Sequence, residues 1–417
     1  MTPSRMILRI LLLFIFLANT KAVVVFSHLT PEEIHKSLRI ISLHHANSFE
    51  TITSQLRNAM NHTPSDPITN LDEFRQQLSS QLQQLKFSHD QNSRVLERLL
   101  LPFASISFST SSTASTTAST TSSTTAPNDD PPIYSRGTDV LIHLVRDWTV
   151  DVAQNDYSHL LDLLDEHEQR QLENRAMTTV LVPGSGLGRL AYEILKSGRK
   201  VEALDSSISM IAATRTIVHD LLRTKKDSHE FDKAEETLLI YPFVDQTSNL
   251  VRHQYRTKKF ELLTRSDRHV LTTSSTGTGK TNKNIADQLT LIHGEFKHVA
   301  MNQASLVTDE LYDVIVTSYF VDMQTNVLRC IDELYALLNP GGIWINEGPL
   351  KFGFDAEVAV AGDTLLLYAR SIGFNVLHLS TAEGVSAVNP QQYVFLESQN
   401  VMEHQHYSPL TFVMIKD

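Results

Sequence analysis

Apolar positions follow two different periods along this chain. From Thr30 to about Phe103 they recur at helical spacing, through Leu38, Ile41, Leu43 and Ile52 and then Leu78, Leu82, Leu85, Val95, Leu96 and Leu99, which predicts helices that each bury one face. Thr30-Pro31 supplies a cap and a first-turn proline. Ser107 to Ala126 is almost wholly Ser, Thr and Ala, too poor in large apolar groups to offset its ordering entropy, so residues 105–133 read as a disordered linker. Helical spacing returns over Thr138 to Trp148 and through Leu160, Leu163, Leu164 and Leu172. Beyond Thr179, short apolar runs alternate with helical stretches. Val180 to Val182, Lys200 to Asp205, Lys297 to Met301, Tyr312 to Val321, Ile343 to Asn346 and Leu410 to Ile415 read as strands. Stretches through Ile208 to Leu221, Val327 to Leu338 and Leu365 to Ala369 read as helices, Leu238 to Val244 as a further apolar segment, and residues 263–287 as a polar insertion. Strand and helix in alternation predict an α/β domain over residues 134–417, preceded by a helical region over 23–104.

The strand at Val180 to Val182 breaks into Pro183-Gly184-Ser185-Gly186-Leu187-Gly188-Arg189 and then into a helical pattern. Glycines at alternate positions let the backbone turn tightly and approach a ligand at the helix N-terminus. The dinucleotide fingerprint is Gly-x-Gly-x-x-Gly, whereas position 189 is Arg. The tighter Gly-x-Gly-x-Gly spacing favours S-adenosylmethionine, which has no pyrophosphate to cradle. Such a ligand needs an acidic residue at the end of the next strand to accept from its ribose hydroxyls, and Asp205 stands there. The plain alternative is a glycine turn that only joins strand to helix.

Net charge is −11, which argues against a nucleic acid as main partner and favours a small substrate. The single cysteine, Cys330, excludes an intramolecular disulfide and a multi-cysteine zinc site. A homodimer is compatible with all of this. Ser274 to Thr281 imitates a phosphate-binding loop, but Ser274 stands where the signature needs glycine and no strand precedes it. Residues 1–22 have a basic start, an apolar run from Ile10 to Ala18 and small residues near Ala22, the shape of a signal or targeting segment.

Val145-Arg146-Asp147-Trp148, the glycine block to Leu190, Tyr241-Pro-Phe-Val244, and Tyr312-Asp313-Val314 through Asp322, Asn326-Val327 and Pro340-Gly-Gly-Ile-Trp-Ile-Asn346 to Leu350 together resemble the carnosine N-methyltransferase family. The resemblance implies a class I methyltransferase fold: a Rossmann-like sheet with helices on both faces and a helical N-terminal extension. It implies transfer of a methyl group from S-adenosyl-L-methionine to an imidazole nitrogen of carnosine or a related histidine-containing dipeptide, in cytosol or nucleus. The apolar N-terminus points instead to a membrane-bound compartment. The alternatives are a non-catalytic S-adenosylmethionine-binding protein on the same fold, or a methyltransferase for another small nucleophile.

Carried over residue by residue, the resemblance assigns the cofactor to Arg146, Gly184, Gly186, Gly188, Asp205, Asp313 and Val314. Asp205 stands where the family has glutamate. The family's Gly-Asp-Phe after the fourth strand is absent, and Asn302, following Met301, lies nearest. Asp322 and Tyr407 match substrate residues, while Gly353 and Thr325 replace family histidines. A carboxylate at Asp322 that accepts from the imidazole N–H would fix the tautomer and stabilise the positive charge that methylation creates. Its alternative role is a helix cap.

Overall fold

The computed structural model describes residues 23–26, 31–62, 71–104, 137–149, 157–171, 178–222, 238–246, 248, 250–262, 288–301, 310–380, 393–395 and 405–417. The leader-like segment 1–22, the linker 105–133, the insertion 263–287 and Asn302 lie outside the described residues. The chain begins with strand β1 (Val23–Phe26) and the helices α1 (Pro31–Met60), α2 (Leu71–Ala104), α3 (Gly137–Trp148) and α4 (Ser158–Gln171). Then come β2 (Thr179–Pro183), α5 (Arg189–Lys196), β3 (Lys200–Asp205), α6 (Ile208–Leu222), the short pair β4 (Leu239–Ile240) and β5 (Phe260–Glu261), and β6 (Leu289–His293). The remainder is α7 (Phe296–Met301), β7 (Tyr312–Ser318), α8 (Val327–Leu337), β8 (Leu338–Gly348), α9 (Gly362–Ser371), β9 (Phe374–Ser380), the ribbon β10 (Tyr393–Phe395) with β11 (Gln405–Tyr407), and β12 (Leu410–Lys416).

Eight strands form one sheet in the order β1-β6-β3-β2-β7-β8-β12-β9. Neighbours from β1 to β8 run parallel, and β12 runs antiparallel to both β8 and β9. This is the class I methyltransferase sheet with β1 added at one edge. Val180, Val182, Val201, Ala203, Val314, Val316, Ile343 and Ile345 point into a core shared with α1 to α6. Leu181, Leu204, Ile315 and Trp344 point into a second core with α7, α8 and α9. Strands buried on both faces explain why their sequences are continuous apolar runs.

Two segments differ from the sequence expectation. Lys297 to Met301 belongs to helix α7, and the strand is the preceding Leu289-Thr-Leu-Ile-His293. The N-terminal region opens with a strand, since β1 pairs with β6 from Val23 opposite Thr290 to Phe26 opposite His293. The chain leaves β2 toward β3 and β6 on one side, and β7 leads to β8 on the other. The gap between the C-terminal ends of β2 and β7 is the topological switch point where open α/β sheets bind ligands.

Candidate active site

The turn after β2 is built so that two of its glycines are closed off by side chains and the third meets only a guanidinium at ordinary contact distance. Gly184, Gly186 and Gly188 all have left-handed φ, of 67°, 53° and 72°, which L side chains rarely adopt. A Cβ on Gly184 would lie 2.6 Å from Phe320 Cδ2, and one on Gly188 would lie 2.3 Å from Thr214 Cγ2. At Gly186 the nearest neighbour is Arg146 Nη2 at 3.6 Å. The outer glycines therefore admit β7's exit and α6, while Gly186 leaves its side of the turn open beneath a guanidinium.

Arg146 is positioned from α3. Its Nε and Nη2 donate to Oδ1 and Oδ2 of buried Asp147 at 2.7 and 2.8 Å. The neighbouring Trp148 Nε1 donates to Leu187 O at 3.0 Å, and Arg189 donates through Nη1 to Asp147 O at 2.8 Å while lying over the Trp148 ring. The Arg-Asp-Trp cluster is thus an ion pair and an aromatic seat that fasten α3 to the glycine turn.

Asp205, at the end of β3, faces the same turn. Its Oδ2 accepts from Gly186 N and its Oδ1 from Ser207 N, each at 2.8 Å. Each oxygen keeps a lone pair for a further donor. Desolvation raises its pKa to about 6, opposed by those two backbone donors and by the charge of Arg146.

Asp322 lies beyond β7 in a single 3₁₀ turn, Val321–Met323, and is 6% exposed. Lys351 N donates to its Oδ2 at 3.3 Å, while Oδ1 is buried with no hydrogen-bond partner among the described residues. Burial raises its pKa to about 6 against the pull of Lys351. It caps no helix: the cap of α8 is Asn326, whose Oδ1 accepts from Arg329 N at 3.0 Å. Tyr407 ends β11 three residues before Leu410, which pairs with Gly348 at the edge of the site; its side chain lies outside what is described. Gly353 is exposed, and a Cβ there would lie 2.6 Å from Asp355 Oδ1. Thr325 turns its carbonyl to Glu357 N and Val358 N at 2.6 and 3.1 Å.

Asp313 and Val314 are not brought to this cluster. They begin β7 at the opposite end of the sheet, where Asp313 Oδ2 accepts from Thr179 N at 2.9 Å and its Oδ1 from Asn339 Nδ2 at 2.8 Å. Val314 pairs with Val180 and is fully buried in the core. Assigning them to the cofactor is corrected accordingly: one ties three strands together and the other packs. Asn302 loses its motivation too, because the segment expected as a strand before it is a helix.

Strand β6 runs on into Gly294-Glu295-Phe296, a Gly-acid-Phe triplet at the site's rim that sequence reasoning missed. Gly294 N donates to Asp205 O at 2.9 Å, and buried Phe296 meets Phe320 edge-on at 5.3 Å between ring centres. The triplet is legible as a motif, but a strand expected eight residues late hides it. A second omission is Glu347, one residue before the end of β8. It is 4% exposed, and burial alone raises its pKa to about 7.

A family model described as carnosine N-methyltransferase matches residues 132–417. The carnosine N-methyltransferase of Schizosaccharomyces pombe is 26% identical over 254 residues, 57% of this chain and 61% of that protein. That of Rattus norvegicus is 27% identical over 218 residues, 52% of this chain and 47% of that protein. The chain therefore spans roughly half to three fifths of the length of these curated relatives. Among solved structures, the magnesium protoporphyrin IX methyltransferase of Synechocystis PCC 6803 with bound SAM aligns at 13% identity and TM-score 0.35, over 70% of this chain and all of that one. The family model covers well over half of the sequence, on a sheet of the order such enzymes require, and this chain belongs to the carnosine N-methyltransferase family.

Proposed function

We propose that the chain is an S-adenosylmethionine-dependent N-methyltransferase acting on an imidazole nitrogen, with carnosine or a related histidine-containing dipeptide as substrate. The observation that carries this is the buried Oδ1 of Asp322, which lacks a partner among the described residues beside a glycine turn that ends opposite Asp205. Three features suit the methyl donor: the open side of Gly186, the spare acceptor capacity of Asp205, and Gly294 to Phe296 at the rim. Arg146 supplies positive charge on the side of a carboxylate group. The donor, when bound, supplies a methyl group on a sulfonium.

Within that frame Asp322 accepts the N–H of a neutral imidazole, so the other ring nitrogen presents its lone pair. As the ring gains positive charge the same carboxylate stabilises it, inside a site where water competes weakly. The side chain is ionised at neutral pH, since its pKa of about 6 lies below 7. Phe320 and Phe296 close the floor below the turn and keep water from that side. Gly353 and Thr325 offer no ring in place of the family's histidines, so discrimination among imidazoles should be loose.

The test combines calorimetry with S-adenosylhomocysteine and a methyl-transfer screen of imidazole compounds. Asp205→Ala is expected to weaken cofactor binding at least tenfold. Asp322→Asn, nearly isosteric, is expected to lower kcat by about a hundredfold with cofactor affinity retained. Binding without turnover of any imidazole would leave a non-catalytic binding protein. Methylation of lysine, catechol or carboxylate compounds with every imidazole refused would remove Asp322 from its assigned role.

A further inference from the structure

Glu347 is a carboxylate where the fold gives no structural reason for one. Side chains alternate along β8: Ile343 and Ile345 enter the first core, Trp344 enters the second, and Asn346 accepts from Thr317 Oγ1, which itself accepts from Trp344 Nε1. Glu347 therefore lies on the same face as Ile345, the face covered by α3 and α4. By the same alternation Ser318 of β7 and Asp205 of β3 lie on that face, each at the C-terminal end of its strand. The strand order β3-β2-β7-β8 puts Asp205 and Glu347 three strand spacings apart, on the order of 14 Å at about 4.8 Å per strand. They flank the switch point.

Its surroundings lack a counter-charge. The residues paired with Glu347 are Ser318 and Thr411, both uncharged, and its own carbonyl accepts from Tyr319 N at 2.9 Å. Neither an ion pair nor a side-chain hydrogen bond to its carboxylate is found among the described residues, although only 4% of the residue is exposed. Four residues on, Lys351 donates its backbone N–H to Asp322, so the segment leaving β8 joins the two carboxylates. A buried anion without a partner is costly, so the group either keeps its proton or meets a cation that arrives from outside. Arg146 pairs with Asp147 and makes no ion pair with Glu347.

We propose that Glu347 determines substrate choice in this chain by binding an ammonium group of the substrate, so that the preferred nucleophile is an imidazole tethered to a free primary amine. This rests on the imidazole reading of the site, with the ring at Asp322 and the amine reaching the end of β8. Ionised Glu347 pairs with the ammonium, and the pair orients the ring without taking part in the displacement. An N-acylated or amine-free imidazole leaves the carboxylate unpaired and is penalised for it.

The test compares kcat/KM for β-alanyl-histidine and for its N-acetyl form. Wild-type protein is expected to prefer the free amine by on the order of tenfold or more, and Glu347→Gln to bring the ratio close to one. The titration of Asp322 cancels in the ratio, and the imidazole titration, which differs because acetylation removes a nearby positive charge, is removed by comparing the two substrates at equal concentrations of neutral ring. Below pH about 7, where Glu347 holds its proton, the wild-type ratio should shrink, whereas the ratio in Glu347→Gln should not vary with pH. A wild-type ratio near one, or a preference that survives Glu347→Gln, would overturn the proposal while leaving imidazole methylation standing. Refusal of both imidazoles by the wild type would overturn the imidazole reading and this proposal with it. If Glu347→Gln does not fold, the pH dependence of the wild-type ratio decides instead: a ratio that shrinks below pH about 7 supports the ammonium contact, and one constant with pH overturns it.

Discussion

A carboxylate held at a pKa of about 7 by burial penalises the folded state whenever it is ionised, and Glu347 is such a group. The folded value lies above the ordinary 4.5, so the folded state retains a proton that the unfolded state releases. Stability from this residue is therefore lost as pH rises from about 4.5 to about 7, and the loss is complete above that. The shift corresponds to about 3 kcal/mol at most, with relaxation of the surroundings reducing it. Glu347→Gln should accordingly be more stable than wild type at pH 8 in urea unfolding, with the gap closing toward pH 5. Equal stability at both values would mean that the side chain finds a partner when ionised. No such burial is legible in the sequence, because glutamate is expected at the surface and nothing in Asn346-Glu347-Gly348 marks it otherwise. Asp205 and Asp322 are legible because each closes an apolar run, Asp205 at the end of its strand and Asp322 in the turn beyond β7. Asp313 looks similar in sequence, but it begins its strand, and only the register of Val314 with Val180 puts it at the far end.

At the scale of elements, the second long helix, α2, is fastened to the rest of the domain by specific polar contacts as well as by packing. Asn92 of α2 is fully buried and pairs twice with Tyr241, donating to its carbonyl and accepting from its N–H, both at 2.8 Å. Thr216 of α6 donates to Leu99 O at 2.8 Å. Asn92→Ala would leave a backbone donor and acceptor of Tyr241 buried without partners, at roughly 1–3 kcal/mol each. A loss of roughly 2–4 kcal/mol in denaturant unfolding is expected, with Asn92→Asp intermediate because it keeps the acceptor. A loss below about half a kcal/mol would mean that water replaces the pair. The hairpin's apolar stripes are legible, whereas its docking is not, since Asn92 and Tyr241 are far apart in sequence. The displaced strand has a similar origin. Leu289 to His293 and Phe296 to Met301 are both short apolar runs, which periodicity cannot assign to strand or helix. Parallel pairing of β6 with β3, Val201 opposite Leu289 through Asp205 opposite His293, decides the matter.

At the scale of the whole molecule, the N-terminal helices are part of the domain rather than a neighbour of it. Ile34, Leu38 and Ile41 of α1 and Val95, Leu96, Leu99 and Leu100 of α2 are buried in the same core as Val180, Val201, Leu291 and Val314 of the sheet. Each such side chain contributes roughly 1.5–3 kcal/mol on burial, so together they supply on the order of 10–20 kcal/mol. A domain's net stability is only about 5–15 kcal/mol. β1 adds to this by covering the edge of β6, which would otherwise present an unpaired row of backbone groups. A fragment limited to residues 132–417, the part the family model matches, is thus expected not to fold alone. It should lack a cooperative thermal transition, bind a hydrophobic dye and show no calorimetric binding of S-adenosylhomocysteine, whereas the chain from Val23 should do the reverse. Adding residues 23–104 as a separate polypeptide should restore cooperativity in part, because the contacts are those of a core and need no covalent link. Cooperative unfolding of the 132–417 fragment at a melting temperature near that of the longer chain would show that the sheet and α3 to α9 bury enough on their own, and that α1 and α2 are an addition to a complete domain.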